Sequence, residues 1–448
     1  MKSSLYNVYL PLDDKYVVYN TLRDSILVVD EDLKTHLRSS DLEGLDAEII
    51  QALLRCGIIL PDDTDEKALL RYRYQCGKYS SEYISVLLLP TYACNLSCYY
   101  CPNPGEPVFM SPETTQSVIM FLRNLIDSTN RGVILKLYGG EPLLNVDCCL
   151  HLCETLSSFC ESRNLPFLAA AMTNGTLLSH KRTEKLLPYL KAVHVTLDGS
   201  QSSHDSVRYY RDKTGTYEDI MEGLSLARER NIRISIRINT SFENLRCIRE
   251  VLDDLKKRGF SEYEEFEIYF GPIAQLEDCK YFEDDDLRLQ FRENRFKLAP
   301  QLREIVAASG WREKIRDIVS DIKDVSKPEQ CEYGKSYHFI IDPLGKFYTC
   351  PGFCGNPDYC IGALDEDGNA EFTSLYYDLH TRDATQTECI TCEYMPLCGG
   401  GCPARAKIQE GTVEAVHCGS AKELTKPHIL SYLQYKRPDL FTFRGGRG

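Results

Sequence analysis

Three cysteines, Cys94, Cys98 and Cys101, are spaced C-x3-C-x2-C in the run TYACNLSCYYCP. Thiolates so placed on one short loop can cap three irons of a single cubane cluster. The fourth iron then has no protein ligand in the loop, and an open position is what a catalytic metal centre needs to engage a cofactor or substrate. A second group follows downstream: Cys331, Gly345 and Cys350, then Cys389-x2-Cys392-x5-Cys398-x3-Cys402, and finally Cys418. Paired C-x2-C thiolates suit zinc as well as iron–sulfur clusters, so the residues alone leave both metals open. Twenty cysteines are many for a reducing compartment, where disulfides are rarely kept, which leaves metal thiolates and buried small apolar side chains. Cys56, Cys76, Cys148, Cys149, Cys153, Cys160, Cys247 and Cys279 fall mostly on helical patterns and read as core or surface thiols.

The elements that must position these groups follow from hydrophobic periodicity. Residues 1–80 read as a small unit. Alternating runs at Asn7–Leu12, Tyr16–Asn20 and Ser25–Val29 predict a strand meander, followed by helices at Asp32–Ser39 and Asp46–Cys56 and a short strand at Gly57–Leu60. PDDTDEKALLRYRYQ, with its Pro–Asp start and acidic first turn, reads as a third helix or a linker. From Tyr83 the pattern alternates strand and helix. Strands are expected at Ser85–Leu89, Val133–Tyr138, Phe167–Met172, Ala192–Leu197, Arg233–Asn239 and Phe266–Phe270. Helices are expected at Ser111–Asn130, Val146–Arg163, His180–Leu190, Tyr217–Arg230 and Asn244–Arg258. Six such units predict an α/β fold with a parallel sheet curled into a partial (β/α)6 TIM-like barrel. Its chemistry belongs at the carboxyl ends of the strands, which is where the first cysteine loop falls.

Residues 276–330, with helical patterns at Asp284–Pro300 and Trp311–Val325, read as a connecting region. Residues 331–420 form a Cys-, Gly- and Pro-rich segment whose weak periodicity suggests loops stapled by metal. Residues 421–448 read as a basic, solvated tail. The domain layout is thus 1–80, 81–275, 276–330, 331–420 and 421–448.

Other strand ends carry matching chemistry. Strand 2 ends in Gly139-Gly140-Glu141-Pro142, strand 3 in Thr173-Asn174-Gly175-Thr176, and strand 4 in Thr196-Leu197-Asp198-Gly199, with His204, Asp205 and Arg208 beyond. Together with Tyr100 inside the cysteine loop, these resemble the radical S-adenosylmethionine (SAM) superfamily, whose motif is C-x3-C-x-aromatic-C. The resemblance implies a [4Fe–4S] cluster on Cys94, Cys98 and Cys101, with S-adenosylmethionine chelating the open iron. An electron then splits the S–C5′ bond to give a 5′-deoxyadenosyl radical. It also implies cofactor contacts at Tyr100, at the backbone of Gly139, Gly140 and Glu141, and at Asn174. The hydroxyl residue before LDG and the Arg twelve positions on contact the cofactor in related sulfatase-maturing enzymes; here they are Thr196 and Arg208. Guanidinium chemistry suits a bidentate carboxylate contact at Arg208, and Arg237 with Asn239 are further candidates on strand 5.

The downstream cysteines are similar to the SPASM extension of these enzymes at every spacing. That implies two auxiliary [4Fe–4S] clusters, three clusters in all. Cys389, Cys392, Cys398 and Cys418 would hold one. Cys331, Cys350 and Cys402 would hold the other, completed by Cys354, by Cys360 or by an open site. Residues 1–80 resemble in outline the winged-helix-like recognition domain of maturases acting on ribosomally made peptides, which bind a leader by strand addition. Where sulfatase-maturing members place a catalytic Asp after the cysteine equivalent to Cys350, this chain has Pro351. The expectation is therefore a maturase that uses the radical to form a thioether or carbon–carbon cross-link in a precursor peptide, with formylglycine formation as the alternative. An external reductant of flavodoxin or ferredoxin type is implied.

The net charge of −14 disfavours non-specific binding to nucleic acid or anionic membrane. No apolar stretch reaches membrane-spanning length, and the first residues lack a signal-peptide core, so a cytoplasmic location is expected.

Overall fold

The computed structural model describes residues 1–101, 107–272, 285–311, 313–318, 331–418 and 421–440. They divide into two compact units. The first takes the described residues of Met1–Ser80, Val319–Lys335 and Thr381–Gly448; the second takes those of Ser81–Ile318 and Ser336–His380.

In the first unit, β1 (Lys2–Ser3) pairs antiparallel with β5 (Ile59–Leu60). The expected meander is present as β2 (Asn7–Leu12), β3 (Lys15–Asn20) and β4 (Ser25–Val29), in the order β2-β3-β4. Helices α1 (Glu31–Ser39), α2 (Ala47–Arg55) and α3 (Glu66–Tyr79) follow. Asp30 and Asp65 cap α1 and α3 by accepting the Leu33 and Ala68 amides, which fixes where each helix starts. The meander is two-sided. Val18 and Val29 pack on Leu37, Leu53 and Ile58, whereas Val8, Leu10, Val17 and Tyr19 pack on Tyr394, Leu397, Ile429, Tyr432 and Leu433. The last three lie on the helix Ala421–Lys436. This corrects the solvated-tail expectation over that stretch: Ile429 and Leu433 are wholly buried, because the strand face they cover is apolar. Residues 441–448 of that expectation lie outside the described residues.

The second unit is built on one sheet. Parallel strands β6 (Tyr83–Leu88), β7 (Gly132–Leu137), β8 (Phe167–Thr173), β9 (Leu190–Leu197), β10 (Arg233–Thr240) and β11 (Phe266–Pro272) coincide with the six expected. Helices α4 (Pro112–Thr129), α5 (Val146–Glu161), α6 (Gln201–Val207), α7 (Tyr217–Glu229), α8 (Leu245–Lys257) and α9 (Asp285–Ser309) connect or flank them. Alternation is visible in β9: Val193, Val195 and Leu197 are buried on the helix side, while His194 and Thr196 face the opposite, half-open side. Cys148, Cys149, Cys153 and Cys160 are buried thiols of α5, as expected of core cysteines.

Three expectations need correction. His180–Leu190 forms only the short 3₁₀ turns Thr183–Lys185 and Leu187–Tyr189, since Pro188 supplies no N–H for an α-helix. Within Trp311–Val325, Ile315–Arg316 is an edge strand, β12, parallel to β11, and Trp311 is buried with its indole donating to the Leu252 carbonyl; residues 319–325 lie outside the described residues. The Cys-rich segment is more regular than its periodicity suggested. His338–Ile341 forms β13, which adds to β6 in parallel, and β14 (Lys346–Tyr348), β15 (Cys360–Leu364) and β16 (Ala370–Phe372) continue antiparallel. Strands of three to five residues are too short to leave a periodic signal. Among the described residues the hydrogen-bonded order is β12-β11-β10-β9-β8-β7-β6-β13-β14-β15-β16, an open order and not a closed ring.

Candidate functional site

The first cysteine loop leaves the carboxyl end of β6 and is held there by its neighbours. Gly140 N donates to the Thr91 carbonyl at 3.2 Å and Glu141 N to the Ala93 carbonyl at 2.8 Å. A Cβ on Gly140 would strike the Ala93 and Tyr92 carbonyls, and one on Gly139 would strike the Thr91 carbonyl; Gly139 also sits at φ +129°. The glycine pair is thus needed for contact between two loops, before any ligand is considered. Glu141 is wholly buried. Its Oε1 accepts from Leu143 N (3.0 Å) and the Thr173 hydroxyl (2.7 Å), and its Oε2 from Asn174 N (2.7 Å). The carboxylate therefore clips the end of β7 to the end of β8, and the backbone of this motif is the part left to meet a ligand.

Asn174 extends the clip to the cysteines. Its Nδ2 donates to Asn95 Oδ1 at 2.8 Å and lies 3.9 Å from Cys94 Sγ, and its Oδ1 accepts from Thr176. Asn95 Nδ2 returns a bond to the Thr176 hydroxyl at 2.9 Å. Asn95 was not singled out in the sequence; its position between two cysteines is the signal that pointed to it.

On the other side, Tyr100 donates to Asp198 Oδ2 at 2.5 Å and accepts from Arg208 Nη1 (2.7 Å) and Asn239 Nδ2 (3.1 Å). Arg237 Nε donates to Asn239 Oδ1 at 2.9 Å, and Arg237 is paired in register with Thr196. Tyr100, Thr196, Asp198, Arg208, Arg237 and Asn239 thus gather over the ends of β9 and β10. Burial pushes the Asp198 carboxyl up despite Arg208, whereas Arg208 is held above its ordinary value because Tyr100, Cys98 and Asp198 outweigh the burial that opposes its charge. Asp198 Oδ1 and Arg208 Nε are buried and have no hydrogen-bond partner. Arg208 Nε lies 3.9 Å from Asp198 Oδ2, so one unfilled acceptor and one unfilled donor stand close together and suit a ligand carrying both ammonium or hydroxyl and carboxylate groups, as S-adenosylmethionine does.

The thiols are electrostatically linked. Burial pushes Cys98 up to about 11, with Cys101 and Cys94 adding to the rise and Arg208 opposing it; burial also raises Cys94. Cys101 is exposed. Among the described residues, no three His, Cys, Asp or Glu side chains converge on a point suited to one metal ion. A cubane asks for something else, since each thiolate caps its own iron. On that donor chemistry the three cysteines fit a cluster.

Cys350 follows β14, and Cys354 closes the next turn with its Sγ toward the Cys350 carbonyl. Burial raises Cys354, with Asp342 and Cys350 adding to it. Cys101, Cys350 and Cys354 all act on the raised Tyr138 hydroxyl, whereas Cys360 donates to the Gly362 carbonyl within its own strand. Between the two loops, the Tyr92 hydroxyl donates to Asp342 Oδ2 at 2.9 Å, a pairing that sequence reasoning missed because it spans 250 residues.

In the first unit, Cys331 opens the 3₁₀ turn Glu332–Gly334 and Cys402 precedes the helix Pro403–Glu410. Burial raises Cys398, Cys418 and Cys389 add to it, and the Gly400 and Gly401 amides favour its thiolate. Gly399, Gly400 and Gly401 have φ of +60°, +83° and +78°, so successive N–H groups can wrap the sulfur. Cys389 and Cys392 flank a turn closed by Cys392 N to the Cys389 carbonyl at 2.9 Å. The donor set again suits a cluster.

Arg208→Met is expected to weaken S-adenosylmethionine binding at least about tenfold in equilibrium dialysis, with iron content unchanged.

Comparison with known proteins agrees with this geometry. Residues 88–255 match the Radical SAM superfamily. The chain is 21% identical over 361 residues to a cysteine-type anaerobic sulfatase-maturating enzyme of Clostridium novyi, covering 77% of this chain and 95% of that one. It is 20% identical over 351 residues to the radical SAM cyclopropyl synthase TigE of Paramaledivibacter caminithermalis, covering 73% and 70%. In fold it is similar to SuiB of Streptococcus suis, solved with its precursor peptide SuiA, at TM-score 0.51 and 15% identity over 92% of this chain and 98% of that one. Among the described residues, no helix is long and apolar enough to cross a membrane. The chain therefore carries a radical SAM domain over residues 88–255, and its relatives include maturases.

Proposed function

We propose that the chain is a radical SAM maturase of a ribosomally synthesised precursor peptide, forming a thioether or carbon–carbon cross-link. The observation that carries this reading is the shared core of the first unit. One face of the β2-β3-β4 meander is continuous with the cysteine segment 389–398, and the Tyr6 hydroxyl donates to the Ile390 carbonyl at 2.7 Å. In the same way, Thr21 Oγ1 donates to the Glu393 carbonyl at 2.7 Å. Among the described residues strand β4 pairs only with β3, and its other edge suits strand addition by a leader peptide. A recognition element built onto an electron-accepting cysteine segment suits a peptide substrate that must be both held and oxidised.

Cys94, Cys98 and Cys101 would hold the [4Fe–4S] cluster, which together with S-adenosylmethionine would supply the radical chemistry directed at the peptide. The chain's own residues orient that chemistry. Gly139–Glu141 would offer backbone to the methionyl group, Arg208 Nε and Asp198 Oδ1 would supply a donor and an acceptor, and Tyr100 ties both residues to the cysteine loop. Within the second unit, Cys354 rather than Cys360 is assigned as the thiolate that accompanies Cys350, because the Cys360 thiol is committed within its own strand. An external flavodoxin- or ferredoxin-type protein is assigned as reductant.

Anaerobic incubation of reduced enzyme with S-adenosylmethionine and the peptide encoded beside it should lower the peptide mass by about two hydrogens, as an oxidative linkage requires. An unchanged mass without 5′-deoxyadenosine overturns the reading. Conversion of a Cys- or Ser-containing sulfatase peptide to formylglycine would favour the alternative, which the sulfatase-maturating relative supports and Pro351 opposes.

A further inference from the structure

Arg382 is 5% exposed, yet it makes no ion pair with any described residue. Its Nη2 donates to the Gly400 carbonyl at 2.5 Å and to the Ala415 carbonyl at 3.3 Å, and its buried Nε has no partner. Gly400 lies in the glycine turn around Cys398, and Ala415 stands three residues before Cys418. The guanidinium thus bridges the two segments that carry those cysteines. Gly400 is fitted to it: a Cβ there would strike Ala384 and come within 3.5 Å of the guanidinium. Lys78, also 5% exposed, donates its ammonium to the Arg382 carbonyl at 2.5 Å, and Arg405, on the helix after Cys402, is 3% exposed. Asp383, the next residue along the chain, already accepts from Thr385, Gln386 and Gln75.

A buried guanidinium with no ion pair among the described residues is costly unless an anion stands near it. A [4Fe–4S] cluster on four thiolates is such an anion, and net charge around a cluster sets its reduction potential. We propose that Arg382 tunes the auxiliary cluster of Cys389, Cys392, Cys398 and Cys418, its buried positive charge stabilising the reduced form and raising the cluster's reduction potential. The step it favours is a one-electron reduction that adds one negative charge to the cluster, the electron coming from the peptide radical in turnover or from dithionite in the test. The inference rests on the reading of those four cysteines as cluster ligands.

The test is an EPR-monitored redox titration of the full, reconstituted chain with dithionite and mediators. Arg382→Gln should keep its iron and shift the one-electron equilibrium of one cluster about tenfold toward the oxidised form, a fall of about 59 mV. Arg382→Lys should restore most of the potential, which a purely structural tie between two loops would not predict. Lys78→Met removes a charge from the same region while leaving both Arg382 carbonyl bonds intact, and should shift the same signal the same way. An unshifted potential in iron-replete Lys78→Met and Arg382→Gln overturns the inference. If Arg382→Gln loses iron, Lys78→Met alone decides. Cys398→Ala separates the underlying reading: iron content equal to that of the unmodified chain would show that no cluster sits there.

Discussion

Cys98→Ala is expected to abolish 5′-deoxyadenosine formation while leaving the chain folded. Cys98 is partly buried in the loop after β6, where Cys94 and Cys101 act on it and Arg208 stands near enough to oppose them. With two thiolates left, one cubane corner loses its protein ligand, and a second iron is open where the chemistry allows one. The loop itself is pinned by backbone bonds from Gly140 and Glu141 that do not involve the sulfur. Iron content should therefore fall by about four atoms per chain, with the auxiliary clusters retained. Far-ultraviolet circular dichroism should be unchanged, and chromatography of the reaction should show no 5′-deoxyadenosine. Product at the unmodified rate would remove the loop from the site.

Gly140→Ala should cost about a hundredfold in S-adenosylmethionine cleavage with a smaller loss of iron. The added methyl would meet the carbonyl oxygens of Ala93 and Tyr92, which are backbone atoms one and two residues before Cys94. Neither can move without moving the cysteine loop. Overpacking of this kind typically costs about 1–3 kcal/mol in stability. The larger penalty is geometric, because a displacement of about 1 Å at a reacting centre can cost about a hundredfold in rate. Glu141 amplifies the effect, since its carboxylate couples the shifted loop to Thr173 and Asn174 at the end of β8. The measurement is 5′-deoxyadenosine per cluster, with iron assayed on the same sample. Full cleavage per cluster would show that the loop contact tolerates the methyl and does not position the reacting centre.

Much of this site was readable in the chain. Cys94, Cys98, Cys101 and Tyr100 are contiguous, and the motifs at Gly139, Asn174 and Thr196 each end a strand whose apolar run is long enough to recognise. The strands β6 to β11 fall where their periodicity places them, because each is buried on its helix side and its composition is fixed by that burial. Elements that lacked such a run were misread. The short strands β12 to β16 carry too few residues for a period, and Pro188 broke an otherwise helical pattern. The helix Ala421–Lys436 looked like a solvated end because it is locally basic, although three of its apolar side chains seal the meander.

The sequence by itself determined the donor chemistry: which thiols stand together on a loop, which strand ends carry glycine, carboxylate and guanidinium, and that the chain has the means to build clusters. Local spacing is enough for that, since those residues act within a few positions of one another. Only the tertiary structure decided what those groups face. It made Glu141 a clip between strand ends, left Asp198 Oδ1 and Arg208 Nε without hydrogen bonds, joined Tyr92 to Asp342, and set Arg382 between the segments of Cys398 and Cys418. These contacts join residues distant along the chain, and burial, which makes a charge or an unfilled bond consequential, exists only once the chain has folded.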